Sequence, residues 1–347
     1  MRQRALHIAA ATLMLASASA AQAVEGCATF LGDIRFCHED IGLDLAVQED
    51  LEGGGFLQSD DPEGTIVYVY VVPTALPIPE NLDERLAAMD SGYLVEAGPG
   101  EDRRILTSDV LTDQPLTTFH SVRYSFQVDY GRVFALTTVF LDGLIVTLMT
   151  VEGGEGPTKT DAHAARHNAA VTALHFPKVD AGCHALQAGL QFCAQTTPWA
   201  GLTPFYIDNG IALTDLDDPN RDLLVGYGSA ADPDRDFTPD FVAETNRRLA
   251  AAEMAQIAFS DDMSETIGAR VWQSVEYVAQ AANDTAIAGR SSTAIGDGVF
   301  TSIRTSRAGI DTMPLPDDMI TAHQLARAAL TARPEGADAW VRLKAIK

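Results

Sequence analysis

Four cysteines, three tryptophans and 24 basic residues are all that this chain of 347 residues holds of those types. Each shortage narrows what the protein can do. The basic residues are outnumbered two to one by 48 acids, giving a formal net charge of −24. A surface of that sign repels phosphate backbones and anionic lipid, so the chain is read as binding no nucleic acid. Cationic partners and metal cations remain compatible, but the simplest meaning of the charge is solubility. Beyond residue 23 no apolar run approaches the ~20 residues that a spanning helix needs. Catalytic signatures are equally scarce. Gly53-Gly54-Gly55 lacks the Lys-Ser/Thr of a phosphate loop and reads as a turn before a strand. Gly226-Tyr227-Gly228-Ser229-Ala230 only approaches G-x-S-x-G and reads as a strand running into a turn.

What is present begins with an export signal. Arg2 and Arg4 precede the apolar stretch Ile8–Ala18, and Ala21-Gln22-Ala23 supplies a small-x-small site. Cleavage is expected after Ala23, leaving a periplasmic or secreted protein with no transmembrane segment. Cleavage removes two arginines and no acid, so the charge moves from −24 to −26.

In an oxidising compartment the four cysteines read as two disulfides. They fall as Cys27/Cys37 and Cys183/Cys193, and neither pair is a C-x-x-C motif of redox or zinc chemistry. Folding each segment about its own centre, Gly32-Asp33 or Ala188-Gly189, sets its two cysteines opposite each other. Local pairing is therefore favoured, because cross-strand partners lie within disulfide reach.

The cysteine pairs also open an internal repeat. Gly26-Cys27 and Cys37 recur as Gly182-Cys183 and Cys193, at an offset of 156. Asp60-Asp61-Pro62 recurs as Asp217-Asp218-Pro219, and Asp142-Gly143 as Asp297-Gly298. Asp161, His167 and Leu174 match Asp317, His323 and Leu330. Such a long, collinear period implies two whole domains and not a solenoid. We expect domains at 24–177 and 182–333, followed by a tail at 334–347.

Within one repeat, strands are expected near Phe56–Ser59 and Thr65–Val72, and a short helix over Glu80–Met89. Val122, Tyr124, Phe126 and Val128 alternate with polar residues as in a strand. Asp142-Gly143 is a two-residue hairpin signal between Val133–Leu141 and Leu144–Val151. Thr160-Asp161 caps a last helix running to Leu174. The second copy repeats this with a helix over Asp240–Glu253, strands near Val271–Val278, Ala286–Thr293 and Val299–Thr305, and a helix within Pro316–Ala332. The fold class is α+β, in two tandem copies of an antiparallel sheet flanked by helices, an α/β/α sandwich.

This order of elements resembles the PsbP-like fold, on Phe56–Val72, Leu82–Met89, Thr117–Val151 and the helix ending Ala173-Leu174-His175-Phe176. The disulfide hairpin is an addition to that pattern. The resemblance implies a binding or accessory role without catalysis, toward a protein or an envelope component, and carries over no functional residue. Alternatives from other classes are a secreted hydrolase with an acid pair or serine of no local signature, and a divalent-cation-binding module.

Candidate ligands are few. His163 and His167 sit four apart on the last helix, a spacing that can hold zinc with Asp161 nearby. Two ligands without a third define no site, so a solvated helix face is the simpler expectation. Asp232, Asp234, Asp236 and Asp240 have the alternation of a calcium loop but lack its glycine, and Pro233 and Pro239 interrupt them. An acidic loop capping a helix is the simpler expectation there. No cofactor is required, with calcium at the Asp232–Asp240 loop as the ion to be tested. Trp199, Trp272 and Tyr277 read as core before they read as a binding groove.

Overall fold

The computed structural model describes residues 26–51, 54–62, 64–74, 104–111, 113–116, 121–129, 132–153, 158–207, 209–214, 221–229, 239–251, 255–267, 270–280, 285–296, 299–334 and 339–346. It is an α+β structure with several antiparallel sheets, and its described residues fall into two compact units. One comprises the described residues from Gly26 to Lys178 together with those from Pro334; the other is Val179–Arg333.

The first unit opens with a hairpin, β1 (Ala28–Thr29) and β2 (Arg35–Phe36). Its tip is a short turn in which Gly32 takes φ +65°, a left-handed backbone that glycine adopts without steric cost. The pairing Ala28↔Phe36 places Cys27 beside Cys37, and the two are bonded. The main sheet follows: β3 (Asp44–Leu51), β4 (Gly54–Asp60), β5 (Ile66–Pro73), β6 (Arg104–Leu111), β7 (Ser121–Asp129), β8 (Arg132–Leu141) and β9 (Leu144–Gly153). Spatially it runs β3-β4-β5-β9-β8-β7-β6. β8 and β9 join through Asp142-Gly143, with Gly143 at φ +79°, as the hairpin signal requires.

Alternation along the central strands sets one face as core. Val67, Val69 and Val71 of β5 lie across from Thr150, Leu148 and Val146 of β9, all nearly inaccessible. Helix α1 (Asp161–Thr172) covers this face, with Thr160 as its N-cap accepting the amide of His163 at 3.0 Å. The chain then turns at once into β10 (Leu174–Pro177), which pairs with β2 of the hairpin. On the opposite face, Phe56, Tyr68 and Tyr70 form a cluster of half-buried rings with centroids 5.2–6.3 Å apart. The helix expected over Glu80–Met89 lies outside the described residues, as do Asp217-Asp218-Pro219 and Asp297-Gly298.

The second unit starts with its own hairpin, β11 (Cys183–Ala185) and β12 (Leu190–Cys193), in which Cys183 and Cys193 are directly opposed and bonded. Then come β13 (Phe205–Ile207), β14 (Gly210–Thr214), β15 (Arg221–Ser229), α2 (Pro239–Ala251), β16 (Ala255–Phe259), β17 (Met263–Ile267), β18 (Arg270–Gln280), β19 (Ala286–Gly296) and β20 (Val299–Ala308). The sheet runs β13-β14-β15-β20-β19-β18-β16, with β17 also pairing β18. Helix α3 (Asp317–Ala328) follows, and β21 (Leu330–Ala332) pairs with β12.

The two helices of this unit lie on opposite faces of its sheet. Asn246 of α2 donates to the carbonyls of Gln273 and Ser291 and accepts from Thr293. His323 of α3 meets Ser292, the residue between. Neighbouring strand residues point to opposite faces, so the layers are α/β/α here.

The segment expected as a tail is structured. Past Pro334 it supplies β22 (Trp340–Arg342), which pairs with β10 of the first unit. Ala339, Leu343 and Ile346 are buried there, and Asn168 of α1 holds both backbone groups of Ile346 at 2.7 and 2.8 Å. Apolar side chains at Ala339, Leu343 and Ile346 give this otherwise polar segment enough surface to bury, and β10 offers it a free strand edge.

Candidate functional site

The histidines of α1 are not on a solvated face. His163 and His167 are both 0% exposed. The expectation failed because α1 is rich in alanine, so its apolar stripe is weak and the histidines occupy the positions that face the sheet. They meet hydroxyls on the central strands. Thr137 Oγ1 lies 2.8 Å from His167 Nε2, and Thr150 Oγ1 lies 2.9 Å from both His167 Nδ1 and His163 Nε2. Glu152 Oε2 stands 3.4 Å from His163 Nδ1, and the same carboxylate accepts from Arg166 at 2.6 Å. Burial drives the pKa of His167 down to about 3 and lowers that of His163, so both rings are neutral at pH 7. Neutral imidazole can both donate and accept, which is what a clamp between hydroxyls needs. Asp161 is exposed in the first turn of α1.

The second unit holds a matching clamp. His323, also 0% exposed, lies with Nε2 2.6 Å from Ser292 Oγ and Nδ1 2.9 Å from Thr305 Oγ1. Ser292 is in turn 2.6 Å from Ser274 Oγ. Beside it, on the same side of the sheet, Arg327 is almost wholly buried, donates to Glu265 at 2.5 Å and lies 5.9 Å from the Trp272 ring. Arg290 is buried close by, opposite Glu276 on β18. Sequence reasoning missed these hydroxyls and arginines. Their signal was present as polar residues at inward positions of strands that otherwise read apolar, such as Thr137 within Val133–Leu141.

The other candidates fare differently. Asp232, Asp234 and Asp236 lie outside the described residues, and Asp240 is exposed in the first turn of α2. Gly226-Tyr227-Gly228-Ser229 is continuous strand within β15, paired to β20 throughout. A Cβ at Gly226 would come within 2.5 Å of Ser302 Oγ, so close strand approach and not an exposed nucleophile accounts for that glycine. Trp272 and Tyr277 are core residues, 1% and 0% exposed. Trp199, 2% exposed, lines a pocket with Pro198, Thr305, Arg307, Asp318 and Met319, where Arg307 and Asp318 pair at 2.7 Å.

Among the described residues one group of metal-ligand types comes together, Cys37, Asp40 and His175, with ligand atoms within 4.8 Å of one another. Cys37 is committed to its disulfide, so the group lacks the thiolate that a metal would need. No helix of the described residues is long and apolar enough to cross a membrane. Two disulfides and this feature are compatible with a secreted or periplasmic protein.

No family model and no curated protein matches the chain. Among solved structures, cyanobacterial PsbP (CyanoP) from Synechocystis sp. PCC 6803 is similar at 12% identity, covering 46% of this chain and 92% of that one, with a TM-score of 0.29. An acyl-CoA thioesterase II, TesB2, from Mycobacterium marinum is similar at 10% identity over 72% of this chain and 94% of that one, with a TM-score of 0.12.

Proposed function

We propose that this chain is an exported, non-catalytic binding or accessory protein built from two copies of a PsbP-like domain, acting on a protein or envelope component. The observation that carries the reading is the fate of its recurring histidines. His167 and His323 are the chemically versatile residues that both halves keep, and each is sealed at 0% exposure between two hydroxyls of its sheet. A histidine so placed orders the fold and reaches no substrate.

Support for the duplication comes from matched geometry. Thr137 and Thr150 correspond to Ser292 and Thr305 at an offset of 155. Cys37 N donates to Ala173 O at 3.0 Å, and Cys193 N to Ala329 O at 2.9 Å, both offset by 156. Phe36↔Leu174 recurs as Phe192↔Leu330 at the same offset. In this reading no cofactor is needed, and titration of the full chain with calcium is expected to give no heat.

The reading is tested in cells by cross-linking the protein at native level in an intact envelope, followed by fractionation and quantitative mass spectrometry. One envelope protein is expected in near-stoichiometric yield with the periplasmic pool. Recovery in the cytoplasm, or no stoichiometric partner at low salt, would count against the proposal.

A further inference from the structure

The two disulfides have different surroundings at matching positions. In the first unit, pairing places Arg35, His175 and Arg342 in one row across β2, β10 and β22, on one face of that small sheet. Cys37, two residues beyond Arg35, shares this face, and its Sγ lies 3.7 Å from His175 Nδ1. Arg35 sits 4.1 Å over the Trp340 ring, and His175 packs near the same indole. The charged groups facing this sulfur are thus Arg35 (held by Asp33), Arg342, and Asp40, whose carboxylate pairs with Arg342 at 3.6 Å and lies within 4.8 Å of both Cys37 Sγ and His175. His175 is buried with its pKa lowered, by desolvation first and then by Arg342. Its Nε2 has no partner among the described residues. In the second unit the matching row is Gln191 and Thr331, and Cys193 Sγ is 3.8 Å from the Thr331 hydroxyl. His184, adjacent to Cys183, points to the other face of its hairpin.

We propose that Cys27–Cys37 is an exchange-competent disulfide that accepts a dithiol, while Cys183–Cys193 is a fixed structural bond. A thiolate of the dithiol attacks Sγ of Cys27, the half-buried partner. A new sulfur–sulfur bond forms there as the bond to Cys37 breaks, and the electron pair leaves on Cys37 Sγ. That thiolate accepts an N–H from His175 in its Nδ1-protonated tautomer, while Arg342 offsets the nearby Asp40 carboxylate, and this donor makes Cys37 the better leaving group. The second thiolate of the dithiol then attacks its own sulfur in the mixed disulfide and releases Cys27 as thiolate, which takes up a proton. Two electrons pass to the protein and the dithiol becomes a disulfide. Thr331 and Gln191, being neutral, offer Cys193 no comparable stabilisation. The inference is independent of the accessory reading.

The experiment uses the oxidised full chain in dithiothreitol at pH 7, quenched with a maleimide at intervals and mapped by mass spectrometry. Cys27–Cys37 is expected to open ~10-fold faster than Cys183–Cys193. His175→Thr, which installs the residue of the other unit, is expected to erase most of that ratio, with circular dichroism checking its fold. The reciprocal Thr331→His, at an exposed position, is expected to quicken opening of Cys183–Cys193 several-fold. Equal rates in the unaltered chain would overturn the proposal, as would a folded Thr331→His variant whose second disulfide opens no faster.

Discussion

Thr150 Oγ1 lies 2.9 Å from His167 Nδ1 and ties the centre of the first unit's sheet to its covering helix. The same oxygen faces His163 Nε2, so one hydroxyl serves two buried rings. Replacing it with a methyl of the same shape removes one hydrogen bond from each ring, while His163 Nε2 keeps the Thr150 carbonyl at 3.3 Å. We expect Thr150→Val to lower stability by about 2 kcal/mol, because the buried rings lose hydrogen bonds that a methyl cannot replace. Thr147→Val, in the same strand but half-buried on the opposite face, should cost under ~0.5 kcal/mol. Urea denaturation of both variants decides the matter, and equal midpoints would remove the clamp from the account of stability.

The histidine clamps also make stability depend on pH. Burial drives the pKa of His167 to about 3 and that of His323 well below its ordinary value, so each folded ring stays neutral where the unfolded ring charges. Below about pH 6.5 the unfolded chain binds more protons than the folded one. The stabilisation is therefore complete above that pH and lost as pH falls toward the folded values. Between pH 6.5 and 5, each clamp histidine should contribute a slope of up to about 1.4 kcal/mol per pH unit. His323→Gln is expected to flatten the profile of unfolding free energy by that share. A profile as steep in the variant as in the unaltered chain would show that His323 is not the titrating group.

How far these features were legible in the sequence depends on which physical signal announces them. The cysteine pairs announce themselves, since ten residues with a glycine turn leave few other partners. Asp142-Gly143 and the Thr160 cap are local codes, and the structure uses both. β3 was invisible because all eight of its residues are exposed; an edge strand with one neighbour needs no apolar face and shows no alternation. β22 was read as tail because three residues give no period. The clamps were missed for another reason. A histidine is read as exposed or ligating unless its hydroxyl partners are known, and Thr137 and Thr150, on one hairpin, stand 30 and 17 residues before His167.

A different balance governs Arg327. Its guanidinium is buried, with Glu265 as ion-pair partner at 2.5 Å, while Nε and Nη1 find no acceptor among the described residues. Removing the carboxylate leaves a charge in the interior, whereas removing the arginine leaves a half-exposed carboxylate that water can reach. We expect Glu265→Ala to destabilise by about 3 kcal/mol and Arg327→Met by clearly less, since an apolar chain of similar length can pack against Trp272. Thermal unfolding of both variants tests the order, and a reversed order would mean that the ion pair itself stabilises the fold.

The C-terminal return strand gives the last prediction. Lys178 N donates to Ala339 O at 2.8 Å, and Phe176 and Pro177 pair with Val341 and Trp340, so β22 completes the small sheet that carries the first disulfide. Ending the chain at Pro334 would strip β10 of one neighbour and expose the surface that Leu343 and Ile346 now cover. Two such side chains imply a loss on the order of 4 kcal/mol. The Asn168→Ala variant loses only the paired hydrogen bonds to Ile346 and should fall by about 1–2 kcal/mol. Hydrogen exchange read at β2, β10 and α1 distinguishes these outcomes. Protection is expected to drop steeply in the truncated chain and partly in Asn168→Ala. Unchanged protection at β10 after truncation would mean that the first unit holds its hairpin without the return strand.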